Sequence, residues 1–144
     1  MNQNMHNKMK LALLAILMTL GFGATAHSME VLKYEPFVVT LRGTLSLQDF
    51  AGPPNYEDVK QGDRLERAWV LVLSSPIRVV ASPDDELFYT QENVKEIQLV
   101  CFTGCGEQFS FSSGETVTLS GTLFSAHSGH HHKGVLMTVN KRKK

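Results

Sequence analysis

The stretch that decides the fold is Val39-Thr40-Leu41-Arg42-Gly43-Thr44-Leu45, which returns as Val117-Thr118-Leu119-Ser120-Gly121-Thr122-Leu123 with six of seven positions identical. In both copies apolar and polar residues alternate with a period of two, which is typical of a half-buried β-strand. Each glycine takes an inward position, where a strand can bulge or bend sharply. The repeat therefore predicts two equivalent bent strands that help to close one small barrel.

The rest of the chain also predicts strands, and no convincing amphipathic helix follows the N-terminal segment. The continuous apolar run Ala68-Trp69-Val70-Leu71-Val72-Leu73 suits a central strand, which Ser74-Ser75-Pro76 is expected to end. We expect an all-β, OB-fold-like barrel of five strands, with a β-sandwich as the alternative. OB-folds usually have a helix between the third and fourth strands. Here that helix would be missing or reduced to the 101–105 turn. The predicted strands cover about residues 37–48, 67–73, 77–80 or 94–102, 115–124 and 134–140.

The N-terminal residues predict export. Residues 1–10 include Lys8 and Lys10 and no acid, residues 11–20 are apolar except for Thr19, and Ala24-Thr25-Ala26 supplies small residues. These are the features of a secretory signal peptide, with cleavage expected after Ala26. The apolar core is shorter than the ~20 residues that a spanning helix needs. We expect residues 1–26 to be removed, and residues 27–144 to be one periplasmic or secreted β domain without a transmembrane segment.

The charge balance argues against nucleic acid as a partner. The chain has 14 basic and 14 acidic residues, and loss of Lys8 and Lys10 with the signal peptide leaves a net charge of −2. Four of the remaining basic residues occupy positions 141–144, so the rest of the domain carries a net charge of −6. Phosphate binding depends on clustered Lys and Arg, which this domain lacks. Residues 141–144 are expected to form a solvated basic tail.

Cys101 and Cys105 are the only cysteines. In an oxidising compartment we expect them to form a disulfide, although a redox or metal-binding pair is the alternative. The ring that they close is very short, so the bridge should shape a turn more than it stabilises the fold.

The run Ala126-His127-Ser128-Gly129-His130-His131-His132 holds four of the six histidines, between the last two predicted strands. In an OB-fold the loops after the first and fourth strands flank one face and usually bind the ligand. Here those loops are residues 52–58 and 127–132, so we expect them to lie side by side. The residues expected to bind a ligand are Tyr56, Glu57, His127, His130, His131 and His132.

Two interpretations of the histidines remain open. His127, His130 and His132 could hold Zn, or Cu or Ni, with Glu57 or Asp58 completing the ligand shell. Alternatively, His127 and one partner bond to the backbone of a tight turn around Gly129, and the other imidazoles are solvated. We prefer the structural turn, and no other cofactor is indicated.

The chain resembles a small domain family of unknown function found in exported bacterial proteins. The resemblance rests on Gly-Pro-Pro-Asn-Tyr-Glu at residues 52–57, on Gly-Thr-Leu-Phe-x-Ala-His-x-Gly-His-His-His at residues 121–132, and on Val135-Leu136. It extends from about residue 39 to residue 139. It implies an exported location and supports a compact fold, and it implies no activity.

The expected function is that of a binding module of the cell envelope. The sequence has no Gly-x-Ser-x-Gly nucleophile motif, and its adjacent acids occupy loops and turns, so we do not expect an enzyme. The module would recognise an envelope protein or glycan through loops 52–58 and 127–132, as an inhibitor or immunity protein could. The alternative is a metal-binding protein that uses the histidine loop.

Overall fold

In the computed structural model of the chain, residues 28–143 are described, so the predicted signal peptide lies outside the described residues. A helix α1 and a short 3-10 turn accompany six strands. No helix within residues 28–143 is long and apolar enough to cross a membrane. The elements are β1 (Glu30–Lys33), β2 (Val38–Ala51), the 3-10 turn (Val59–Gln61), β3 (Leu65–Val80), β4 (Gln91–Val100), α1 (Cys105–Phe109), β5 (Thr116–Ser125) and β6 (Val135–Lys143).

The strands form one sheet that closes on itself. Their order is β1-β3-β2-β5-β6-β4, and β3 also pairs with β4, so β2, β3, β4, β6 and β5 make a ring. Within the ring β4 and β6 are parallel and all other neighbours are antiparallel. This is the connectivity of an OB-fold barrel. The predicted all-β, OB-fold-like barrel is confirmed, and the sandwich alternative is wrong.

The repeated glycines lie where neighbouring backbones approach closely. A Cβ atom at Gly43 would lie 2.6 Å from the Val72 carbonyl oxygen, and one at Gly121 would overlap the Thr138 carbonyl oxygen. The pairing of β5 with β6 also shifts register between Ser120 and Gly121. Both glycines thus allow the strand curvature that the repeat predicts, because no side chain separates the adjacent strands.

The barrel interior is filled by alternate residues of the five ring strands, among them Leu45, Leu71, Ile97, Leu119 and Met137, which are at most 1% exposed. Burial of these side chains is the main source of stability.

A second, smaller apolar layer lies outside the barrel. Val70 and Leu136 are fully buried, but their side chains do not point into the barrel core. The side chains of the residues adjacent to them in sequence do. The loop of residues 126–134 folds back over this outer face, where the Gln98 side chain bonds to its backbone. The histidine loop is therefore packed against the barrel instead of extending into solvent.

Two strand assignments from the sequence need correction. Residues 77–80 are not a separate strand but the end of β3, and the third ring strand is β4. Pro76 is tolerated because β3 pairs with β2 up to Leu73 and with β1 from Ile77, so the missing N–H falls between the two ladders. Strand β1, which pairs in parallel with the end of β3, was not predicted from the sequence.

The basic C-terminal residues are not a solvated tail, at least as far as Lys143. They form the end of β6 and pair with β5. The Arg142 guanidinium forms an ion pair with Glu115 and donates to the Phe109 carbonyl oxygen at 3.0 Å. The predicted tail is wrong for residues 141–143, because their backbone is part of β6 and the Arg142 side chain is bound to Phe109 and Glu115.

The predicted disulfide is present between Cys101 and Cys105. The bridge links the chain after β4 to the first residue of α1. This five-residue helix is the reduced form of the OB-fold helix, and it begins where the predicted turn ends. Beside it, the Trp69 ring packs edge-on against Phe111, with 5.7 Å between centroids, and helps to close that end of the barrel.

Candidate functional site

The loop between β2 and β3 is held in shape by one buried carboxylate. The two oxygens of Asp63 accept backbone N–H groups from Asn55 at 2.8 Å, Glu57 at 2.8 Å and Asp58 at 3.0 Å. These hydrogen bonds favour the charged form and hold the pKa of Asp63 below its ordinary value. The loop consequently presents Tyr56 in a fixed, left-handed backbone conformation with φ of 61°.

Tyr56 reaches across to the histidine loop. Its ring packs on Gly129, where a Cβ atom would lie 2.7 Å from the Tyr56 Cζ atom. It also meets the His130 ring edge-on, with 5.5 Å between centroids, and its hydroxyl lies 3.3 Å from His130 Nε2. The two loops do lie side by side, as the barrel topology predicts. We call this pair of loops, residues 52–58 and 127–132, the two-loop surface.

Glu66 joins the two-loop surface to the barrel. Its carboxylate oxygens accept from His130 Nδ1 at 2.8 Å and from His132 Nε2 at 3.1 Å. If a neutral His130 donates from Nδ1 to Glu66, its Nε2 atom accepts a hydrogen bond from the Tyr56 hydroxyl. The result is a directed chain from Tyr56 through His130 to Glu66. Glu66 was not predicted from the sequence, where no local pattern marks it. In the structure Gly52 leaves room for its side chain, because a Cβ atom at Gly52 would lie 2.5 Å from Glu66 Cγ.

The His132 side of the loop is fixed just as firmly. The His132 ring is only 10% exposed and stacks on Phe50, with ring centroids 4.3 Å apart. Gln98, itself buried, accepts from the His132 backbone N–H at 2.6 Å and donates to the His130 carbonyl oxygen at 2.9 Å. Lys133 adds an ion pair with Glu96 at 2.6 Å. These contacts explain why the loop can cover the outer apolar layer.

His127 and His131 form a separate pair within the turn. His127 Nδ1 donates to the Ser125 carbonyl oxygen at 3.0 Å, and the His127 backbone N–H donates to His131 Nδ1 at 3.0 Å. The preferred prediction, a structural turn in which His127 and a partner bond to backbone around Gly129, is confirmed. The accompanying prediction that the other imidazoles are solvated is wrong for His132.

The predicted metal set is not assembled. His130 and His132 meet at Glu66, whereas His127 bonds with His131 and Ser125. Glu57 and Asp58 are held by their backbone to Asp63, and the Asp58 carboxylate accepts the Lys60 backbone N–H. Within residues 28–143, no group of three or more His, Cys, Asp or Glu side chains is arranged to hold a metal ion.

Acid should weaken the fold through His131. Burial, followed by the neighbouring imidazoles of His127, His130 and His132, lowers the pKa of His131 from its ordinary value of 6.5. Protonation would also place a hydrogen on the Nδ1 atom that accepts the His127 N–H. As the pH falls, the unfolded chain therefore takes up this proton first. The contribution of His131 to the free energy of unfolding is fully present above about pH 6.5 and is lost as the pH falls towards the lower folded-state pKa.

The free energy of unfolding, measured in urea, should decrease when the pH is lowered from 7.5 to 5.5. We expect this decrease to be smaller in His131→Gln than in the unmodified chain. A glutamine oxygen can accept the same N–H without titrating. His130→Gln is the matched control from the same loop. An unchanged pH dependence in His131→Gln would contradict this assignment.

The closed five-stranded ring and the two-loop surface define an OB-fold-like domain with a preformed pair of loops beside one face. A family model described as a domain of unknown function (DUF4431) matches residues 96–143. The match includes the histidine loop and the strands on both sides of it, and it leaves residues 52–57 outside. No curated protein matches the chain.

Proposed function

We propose that the protein is an exported, non-catalytic binding module of the cell envelope, and that the two-loop surface is its ligand site. The observation that carries the proposal is the contact between Tyr56 and His130, which joins two loops from distant parts of the chain. Backbone strain at a non-glycine residue such as Tyr56 is commonly retained where a side chain must be presented in a set direction. Export rests on the sequence features of residues 1–26.

The chemistry of this surface suits recognition by ring stacking and hydrogen bonding. Tyr56 is 36% exposed and the His130 side chain is 61% exposed, so both are accessible. Because the Tyr56 hydroxyl donates to His130, its oxygen lone pairs remain free to accept. A ligand with hydroxyl or amide donors beside a flat or apolar face would fit, which describes a glycan or a segment of protein.

The hydrogen bonds of the two-loop surface argue against a reactive group there. Both oxygens of Glu66 are engaged by imidazoles, and the His131 ring accepts a backbone N–H. Groups satisfied in this way hold a shape, and a preformed shape reduces the ordering cost of binding.

To test the proposal, the exported form of the chain would be immobilised on a support. Two probes, isolated peptidoglycan fragments and an envelope protein extract, would then be applied, and the retention of each would be measured. Tyr56→Ala and His130→Ala should each reduce retention of the bound probe by roughly tenfold or more, as expected for a central aromatic contact. Tyr56→Phe should show a smaller loss, because it keeps the ring and removes only the acceptor oxygen.

Leu87→Ala is the control, because Leu87 is 76% exposed and belongs to a different loop. Circular dichroism would verify that each variant keeps the fold. If folded Tyr56→Ala and His130→Ala retain both probes as well as Leu87→Ala does, the two-loop surface is not the ligand site.

A further inference from the structure

The most exposed large apolar side chain of the described residues is Phe102, at 98%. It lies in the five-residue ring that the Cys101–Cys105 disulfide closes. The Gly104 N–H donates to the Cys101 carbonyl oxygen at 3.3 Å, which tightens the ring further. These bonds restrain the backbone at Phe102, and the Phe102 ring projects into solvent.

A groove lies directly beside this ring. It has a volume of about 520 Å³ and is bounded by β2, β3, β4 and the segment from Cys101 to Glu107. Its apolar side chains include Leu47, which is 41% exposed, Val100, which is 36% exposed, and Trp69, which is half-buried. We call it the Trp69 groove. A projecting aromatic ring and an apolar groove thus share one face of the molecule.

We propose that two copies of this chain associate about a two-fold axis, with Phe102 of each copy seated in the Trp69 groove of the other. A two-fold interface uses the same patch on both copies, so the patch must contain both the projecting and the receiving part. This face contains both. The proposal concerns a surface distinct from the two-loop surface and does not depend on the ligand proposed there.

The charges at the groove support a second copy as the occupant. Arg67 and Glu107 both border the groove and carry opposite charges. Glu107 forms no ion pair within residues 28–143, and the Arg67 side chain is 62% exposed although it contacts Asp49. In a two-fold arrangement each carboxylate can face the guanidinium of the other copy, so the rim is complementary to itself.

A lipid surface fits the same face less well. The groove is bordered by Glu107 and by one cation, Arg67, which already contacts Asp49, whereas attachment to anionic membranes relies on several basic residues beside the inserted aromatic group. Phospholipid vesicles therefore serve as the competing occupant in the experiment below.

Trp69 allows the interface to be observed directly, because it is the only tryptophan in the chain. Sedimentation velocity and Trp69 fluorescence would be recorded on the exported form from about 1 μM to 1 mM, the range in which small interfaces associate. We expect the mass to double and the emission to shift to shorter wavelength over the same concentrations. A chain that stays monomeric throughout, or a dimer that leaves the emission unchanged, would overturn the proposal.

Phe102→Ala should raise the dimer dissociation constant by roughly 30-fold or more, as loss of a central aromatic contact does. It should also abolish the emission shift, while its unfolding midpoint stays unchanged because Phe102 is 98% exposed in the monomer. Leu87→Ala should behave as the unmodified chain. Equal dimerisation of Phe102→Ala and Leu87→Ala refutes the interface. An emission shift produced in the monomer by phosphatidylglycerol vesicles would identify a lipid occupant instead.

Discussion

Replacement of Gly121 by alanine should cost the protein about 3 kcal/mol of unfolding free energy or more. The new methyl group would overlap the Thr138 carbonyl oxygen and lie 3.2 Å from Met137 Cγ. Backbone of a paired strand cannot rotate away as a side chain can, so β5 and β6 would have to separate. Overpacking of a well-packed core alone costs about 1–3 kcal/mol, and here it also breaks strand pairing.

Urea unfolding followed by circular dichroism would measure this loss. Thr122→Ala is the matched control, because it changes the neighbouring residue on the outer side of β5 and should cost less than about 1 kcal/mol. Gly43→Ala should be destabilising for the same reason as Gly121→Ala, since its methyl group meets the Val72 carbonyl oxygen at 2.6 Å. A Gly121→Ala protein as stable as Thr122→Ala would show that the glycine repeat does not shape the barrel.

The second large effect is expected at Gln98. Gln98→Leu keeps a similar volume but removes the partners of the His132 N–H and the His130 carbonyl oxygen. Buried polar groups that lose their partners cost about 1–3 kcal/mol each, so we expect a loss of about 3 kcal/mol in the free energy of unfolding. The loop should also open more often, and the His132 amide should exchange its hydrogen faster.

Gln108→Leu provides the control, because Gln108 is exposed on α1. The two variants would be compared by urea unfolding and by hydrogen exchange of the histidine loop. If Gln98→Leu unfolds at the same urea concentration as Gln108→Leu, the side chain does not hold the loop to β4.

The ring of strands could be predicted from the sequence because its main determinants are local. Alternation over residues 39–45 and 117–123 shows which side of each strand faces inward, and the inward glycines indicate curvature. Strand β1 could not be found in this way. Its four residues are too few to show a period, and its partner lies more than forty positions away at Ile77–Val80. Pro76 was wrongly predicted to end a strand, because a proline does so only at a position where a backbone N–H has to donate to a neighbouring strand.

The position of the candidate site could be predicted from the sequence, but the hydrogen bonds within it could not. Loop order in the barrel brings Tyr56 to the histidines, and the sequence shows both loops plainly. Glu66 and Gln98 carry no local pattern, since a single acid after a loop and a single amide in a strand are common. Their roles arise only when β2, β3 and β4 are side by side. Which histidines share a partner likewise depends on the course of the loop over Val70 and Leu136.

The way the histidine loop folds back on itself has a practical consequence for affinity chromatography. Three adjacent histidines look like part of a purification tag, but the His132 ring is stacked beneath the surface and the His131 Nδ1 atom already accepts a backbone N–H. The folded chain should therefore elute from immobilised nickel at lower imidazole than the urea-denatured chain, in which every imidazole is free. Retention on such a column would then serve as a simple measure of whether this loop is closed.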